Sequence, residues 1–266
     1  MTIKVVIAGA RGRLGSAALR SILNAPNMEV VAVLDYKYEG QYLHGTVVND
    51  EAGGIPIYTS LENLVAATRP DVLLDLTDPD AVFKNVHDAI TLGIRPVVGT
   101  SGLSIENISL LTELAAKNRI GGIIAPNFSI GAVLMMKFSA IAARYLGDVE
   151  ILEMHHDKKV DAPSGTAVKT AEMIKEVREA HKQGHPEEKE HQAGARGADF
   201  DGMKIHSIRL PGLLAHQEVM LGGEGELLSI RHDSFDRSSF MPGILMAIHN
   251  VMERKDLVYG LENIID

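Results

Sequence analysis

The 266-residue chain contains no cysteine. Disulfides, thiolate metal sites and thiol nucleophiles are excluded together, and with them the semialdehyde dehydrogenases that form a thioester on an active-site cysteine. No uninterrupted apolar run approaches the ~20 residues that a membrane helix needs. The opening MTIKVVIAGARG puts charge and glycine where a signal peptide has its apolar centre. A cytoplasmic protein without a membrane partner is expected. Positive charge is scarce, 26 Lys and Arg against 35 Asp and Glu, so a nucleic-acid backbone is not an expected partner. An anionic small molecule remains compatible if its cations are local. Short-chain dehydrogenases need Tyr-x-x-x-Lys, and none of the six tyrosines has Lys four residues later.

What is present reads as alternating strands and helices. Strand-like runs at 3–9, 29–35, 71–77, 95–101 and 120–127 alternate with helical patterns near 13–25, 60–68, 79–92 and 104–118. Successive βα units on a parallel sheet follow. Ser60, Asp78 and Ser104 are candidate N-caps. Beyond about residue 128 the pattern changes. A helix over 130–146 leads to VEILEMHH, a long helix from 164 to 182, a polar loop over 187–202, and a hairpin whose strands 218–221 and 226–232 flank GGEG. The segment 240–256 is amphipathic and helical. Two domains with different grammars result, joined near 127 and again near 240.

GARGRLG places glycines at 9, 12 and 15 directly after a predicted strand and at the start of a predicted helix. Arg11 stands where the commoner dinucleotide fingerprint has its second glycine. A tight turn alone would account for three glycines. Asp35, twenty residues beyond Gly15 at the end of the second strand, favours a dinucleotide, because an acidic residue there bonds the ribose hydroxyls. The helix from Arg13 would offer amides and a positive dipole end to the pyrophosphate. A carboxylate repels a 2′-phosphate, which favours NADH. Lys37 and Arg11 could instead reach such a phosphate, or be solvated surface cations. The loops VGTSG (98–102) and APNFS (125–129) follow later strands and should line the nicotinamide half of a crevice, or else be ordinary turns.

The stretch EMHHDKKVDAPSGTA (153–167) gathers imidazoles, ammonium groups and a small-residue turn in an acidic chain. On a regular strand His155 and His156 would face opposite sides, so both can serve one pocket only if the strand ends there. Ser164 is a candidate N-cap for the next helix, whose apolar face is Ala167, Val168, Ala171, Ile174 and Val177. Gly165 and Thr166 then lie in a first turn that accepts a carboxylate, with Lys158 or Lys159 close behind. Adjacent ligands seldom share a metal and no second cluster completes a shell, so no metal is expected. A dinucleotide domain joined to an anion site with proton carriers suggests hydride transfer to a small carboxylate.

The run HH-x-x-K-x-DAPSGTA, His155 to Ala167, together with GARGRLG, VGTSG and APNFS, resembles the dihydrodipicolinate reductases over essentially the whole chain. The resemblance implies an α/β fold with a Rossmann-type, doubly wound parallel sheet in a dinucleotide-binding domain (1–127 and 241–266). It also implies an α+β substrate-binding and tetramerisation domain (128–240). It implies that His155 is the acid/base residue and Lys159 the proton donor, and that His156, Gly165 and Thr166 hold a cyclic dicarboxylate. Thr100 would sit where cofactor and substrate meet. The dinucleotide would touch Gly9, Ala10, Arg11, Gly12, Arg13, Leu14, Asp35, Gly99, Thr100, Ala125, Pro126, Asn127 and Phe128. Reduction of 4-hydroxy-tetrahydrodipicolinate, or its dehydrated form, in diaminopimelate and lysine synthesis is the implied activity, in a homotetramer. Tyr36 and Lys37, where the family pattern has Arg after the acidic residue, leave cofactor choice open between NADH, which is favoured, and NADPH. The alternative is a dinucleotide-sensing regulator without catalysis. It predicts loss of His155 and Lys159, which are present, and a basic DNA-binding helix, which is not seen.

Overall fold

Among the described residues, short apolar runs of the first half of the chain, most of them buried on both faces, form six parallel strands, and a late segment adds a seventh. The computed structural model describes residues 2–49 and 53–265. The strands are β1 (Ile3–Ala8), β2 (Met28–Leu34), β5 (Ile55–Tyr58), β6 (Val72–Asp75), β7 (Arg95–Val98), β8 (Gly122–Ile124) and β14 (Leu257–Tyr259). A small antiparallel extension, β3 (Tyr42–His44) and β4 (Val47–Asn49), pairs onto β5. The order is β14-β8-β7-β6-β1-β2-β5-β3-β4. From β1 the chain builds outward through β2, then returns to the other side of β1 with β6. Neighbouring strands therefore leave β1 and β6 in opposite directions, which opens a crevice at their carboxyl ends.

Helices α1 (Arg13–Leu23), α2 (Leu61–Thr68), α3 (Pro79–Thr91), α4 (Ile105–Asn118) and α7 (Met241–Val251) belong to the same unit, which comprises Met1–Phe128 and Phe240–Asp266. Each expected cap is formed: Ser60 Oγ accepts from the Asn63 amide, Asp78 Oδ1 from those of Asp80 and Ala81, and Ser104 Oγ from Asn107. The strands of the later βα units are shorter than their apolar runs. Residues 76–77, 99–101 and 125–127 turn out of the sheet and become the loops at its carboxyl edge. The expected helix over 240–256 stops at Val251, and the chain re-enters the sheet as β14 beside β8.

The second unit, Ser129–Ser239, is a five-stranded sheet with two helices, α5 (Ile130–Ala142) and α6 (Gly165–Lys175). Its strands β9 (Asp148–His155), β10 (Ala198–Phe200), β11 (Met203–Arg209), β12 (Ala215–Gly223) and β13 (Glu226–Ser234) run in the order β10-β11-β9-β12-β13. Only β9 and β11 are parallel. The expected hairpin is β12–β13, longer at both ends than its apolar runs suggest. α6 is shorter than the expected 164–182. Beyond it Arg178 is buried, giving its guanidinium to the carbonyls of Gly147, Asp201 and His181. The segment 187–202 has only turns up to residue 197 and then forms β10. Arg196 fastens it, at 2.8 Å from Glu150.

Candidate functional site

In the first unit, β1 ends at Ala8 and Gly9 turns the chain with φ +82°, a conformation that favours glycine. A Cβ at Gly9 would strike the carbonyl of Leu76, and one at Gly15 would strike the carbonyl of Gly9. The first glycine thus makes the turn, and the third lets α1 pack against it. Gly12 caps α1 with no side-chain hydrogen bond, so the first-turn amides face outward from a cap without a side chain. A crevice of about 650 Å³ opens there, lined by Gly9, Arg11, Gly12, Asp35 and Thr77 among others. A close-approach turn, an open helix terminus and an acidic residue at the end of β2 fit a dinucleotide.

Asp35 is already engaged. Arg11 donates to both its oxygens, at 2.7 and 2.9 Å, and the Lys37 amide donates at 3.0 Å. The Arg11 guanidinium also lies 4.7 Å from the centroid of the Tyr38 ring, and Lys37 Nζ lies 4.9 Å from that of Tyr36. Neither cation is simply solvated. Deeper in the unit, the fully buried Asp75 accepts from Thr77 Oγ1 (2.7 Å), Thr100 Oγ1 (2.6 Å) and Asn85 Nδ2 (2.8 Å). It ties the loops after β6 and β7 to α3. Gly99 is in contact range of Leu76 and Phe128, where a Cβ would not fit. Ala10, Ala125 and Phe128 are buried, Pro126 and Arg13 are exposed, and Asn127 and Leu14 lie between.

In the second unit, β9 ends at His155, so the alternation of side chains ends before His156. Val149, Ile151 and Glu153 share the buried face, and His155 continues it. The Glu153 side chain is 0% exposed. Its Oε2 accepts from His155 Nδ1 (2.6 Å) and Arg209 Nη1 (2.8 Å), and its Oε1 from Arg209 Nη2 (2.7 Å) and the Ser164 amide (3.2 Å). Burial alone would raise this carboxyl, but hydrogen bonds from His155 and Arg209 outweigh it and hold it down at about 2. Through Glu153 the start of α6 is held beside His155. Ser164 Oγ takes the Ala167 amide, Gly165 opens the helix, and nothing lies within 4 Å of the space its Cβ would fill. Lys159 is half-buried and pairs with Asp161 at 2.7 Å, while Lys158 is exposed. His156 has Nδ1 buried without a hydrogen-bond partner.

The model of the N-terminal part of dihydrodipicolinate reductase matches residues 3–128, and that of the C-terminal part matches 131–265. The chain belongs to the dihydrodipicolinate reductase family. As a member it is an NAD(P)H-dependent oxidoreductase of diaminopimelate and lysine biosynthesis. It is 56% identical, over the full length of both chains, to the 4-hydroxy-tetrahydrodipicolinate reductase of Lysinibacillus sphaericus strain C3-41. It is 55% identical to that of Geobacillus thermodenitrificans strain NG80-2, again over the full length of both. The dipicolinate-bound dihydrodipicolinate reductase of Paenisporosarcina sp. TG-14 superposes with a TM-score of 0.90 at 54% identity, covering all of both chains. An amine dehydrogenase from Mycobacterium smegmatis shares the fold alone, at TM-score 0.66 and 10% identity.

Against the family pattern, residues 155–166 lie at one end of β9 and the start of α6, and Gly9–Leu14 with Asp35 at the end of β1 and β2. The loops carrying Thr100 and Asn127 follow β7 and β8. Sequence reasoning did not single out Asp75, Glu153 or Arg209. A signal existed for Glu153, since the period of two in VEILEMHH puts it in register with Val149 and Ile151, where a carboxylate must have partners. No helix among the described residues is long and apolar enough to cross a membrane, and no group of three or more His, Asp or Glu could hold a metal ion.

The low Glu153 value makes acid stability testable. Because the folded carboxyl sits below the ordinary 4.5, its contribution is complete above about pH 4.5 and is lost as pH falls through about 2. A shift of that size corresponds to about 3 kcal/mol at most. Thermal unfolding from pH 6 to pH 3 should show a steeper fall of the midpoint in the native protein than in Glu153→Gln. Equal slopes would show that Glu153 carries no such contribution.

Proposed function

We propose that the chain reduces 4-hydroxy-tetrahydrodipicolinate to tetrahydrodipicolinate, with His155 as acid/base residue and Lys159 as proton donor. The observation that carries the reading is the convergence of His155 and the start of α6 on the buried Glu153, whose partner Arg209 also reaches the carbonyl of Asp161, the residue paired with Lys159. The first unit would bind the dinucleotide through Gly9–Leu14, Asp35, Gly99–Thr100 and Ala125–Phe128, and bound NADH or NADPH would supply the hydride. Within the second unit, the amides of Gly165 and Thr166 at the helix start favour a carboxylate, and the His156 ring is a second anchor for the dicarboxylate. Lys159 has a counter-ion, Asp161, which is well exposed; a substrate carboxylate can compete with so weak a pair. The family's relatives of this length and identity support the substrate class.

Proton transfer and anion binding leave different kinetic signatures. His155→Ala and Lys159→Ala should each lower kcat by ~10²–10⁴, the usual range for general acid/base residues, with little change in NADH binding. His156→Ala and Thr166→Ala should mainly raise KM, because carboxylate contacts are shared by ground and transition states. Steady-state kinetics with substrate generated in situ, and stopped-flow binding of NADH, separate the two. Near-normal turnover in both His155→Ala and Lys159→Ala would leave the segment only an anion-binding role.

Cofactor use should be dual, with NADH at least as good as NADPH. Asp35 repels a 2′-phosphate, but Arg11 lies within 2.7 Å and neutralises it locally. Asp35→Ala should narrow or reverse the preference in parallel oxidation assays with both cofactors. A native protein that strongly rejects NADH contradicts this reading of the ribose pocket.

The assembly should be a cytoplasmic homotetramer formed through the sheet of the second unit. Leu227 and Leu228 on β13 are exposed, 66% and 40%, on a strand at the edge of that sheet. Light scattering at micromolar concentration should give four times the chain mass; monomer alone would overturn it.

A further inference from the structure

His155 can exchange a proton through either ring nitrogen, and the surroundings of Glu153 decide which. We infer that Glu153 is a positioning residue that holds the imidazole of His155 in its Nδ1–H tautomer and so presents Nε2 to the reacting molecule. The inference rests on the proposed role of His155, but its geometry is independent of any substrate.

The Glu153 carboxylate is wholly buried, and every neighbour on it is a donor. Arg209 spans both oxygens, and the Ser164 amide fills a further place on Oε1. Arg209 cannot turn away, because Nη1 also donates to the carbonyl of Ile208 and Nη2 to that of Asp161, each at 2.8 Å. A guanidinium has only donors, so the carboxyl it grips is the ionised form, which has only lone pairs to offer. His155 Nδ1, 2.6 Å from Oε2, must then carry the hydrogen. The strand supplies the contact: residues 153 and 155 point to the same face of β9, and β11 pairs in register so that Ser207 lies opposite Glu153 and Arg209 opposite His155.

Substitution by glutamine sharpens the test. Its amide nitrogen would face two donors at the Oε1 place, Arg209 Nη2 and the Ser164 amide, but only Arg209 Nη1 at the Oε2 place, where it can also donate to Nδ1 if the ring moves its proton to Nε2. Glu153→Gln therefore preserves shape and reverses the tautomer, and the reversed ring presents N–H where a base must present a lone pair. A wrongly held tautomer of this kind is known to suppress catalysis without removing the residue.

The readout is ¹⁵N NMR of histidine-labelled protein at a pH high enough for neutral imidazole, with the His155 signals assigned by their loss in His155→Gln. The native ring should be in the Nδ1–H form and Glu153→Gln in the Nε2–H form. In kinetics, Glu153→Gln should lower kcat by about 10²-fold while KM and NADH affinity stay within about twofold, and Glu153→Asp should recover part of the loss. A native His155 protonated on Nε2, or a Glu153→Gln protein with native kcat, overturns the inference. If Glu153→Gln does not fold, the native spectrum alone decides. Absence of reductase turnover in the native protein would instead refute the proposed reaction and leave the tautomer measurement to judge the inference.

Discussion

A carboxylate removed from water must be given donors, and the second unit is arranged around meeting that demand at Glu153. Transferring the charge inward costs several kcal/mol, which Arg209 offsets only because its fork is bidentate and its remaining N–H groups have carbonyls of their own. The same carboxylate takes the Ser164 amide and His155. One buried charge thus fastens the end of β9, the end of β11 and the start of α6. Removing one partner would leave an uncompensated charge, whereas a change at Lys158, exposed on the same segment, leaves the network whole.

The first unit meets the same difficulty differently. Asp75 is equally buried, but its donors are the neutral groups of Thr77, Thr100 and Asn85. No cation is committed there. The tie holds two adjacent loops at the carboxyl edge of the sheet by neutral hydrogen bonds alone. The cation of this region is placed at the rim instead, where Arg11 answers Asp35 and lies over Tyr38.

What could be read from the sequence was local. The glycine run, the caps at Ser60, Asp78, Ser104 and Ser164, and the turn ahead of α6 each depend on neighbours within a few residues, and the structure forms them all. Element ends were less legible. β6 through β8 are shorter than their apolar runs because loops also bury leucine and phenylalanine, as Leu76 and Phe128 do. β14 was not legible because three strand residues, Leu257–Tyr259, are too few to show a period. Glu153 and Arg209 lie 56 positions apart, and no spacing rule joins them. Only the parallel pairing of β9 with β11, itself invisible in composition, brings them together.

The net charge of −9 makes the fate of each cation informative. Arg209 is bound to a fully buried acid and could leave it only by stranding that charge, so it is structural in its energetics although it adjoins the site. Lys159 is paired with Asp161, whose side chain is 62% exposed, and such a pair contributes about 1 kcal/mol or less. A ligand carboxylate arriving beside Lys159 therefore displaces Asp161 into water at small cost, and the ammonium group can turn to it. Lys159 is held by a bond that is easily exchanged, and the His155 imidazole by a buried network that is not. That asymmetry is what a site needs when one group must stay aligned while the other follows the substrate.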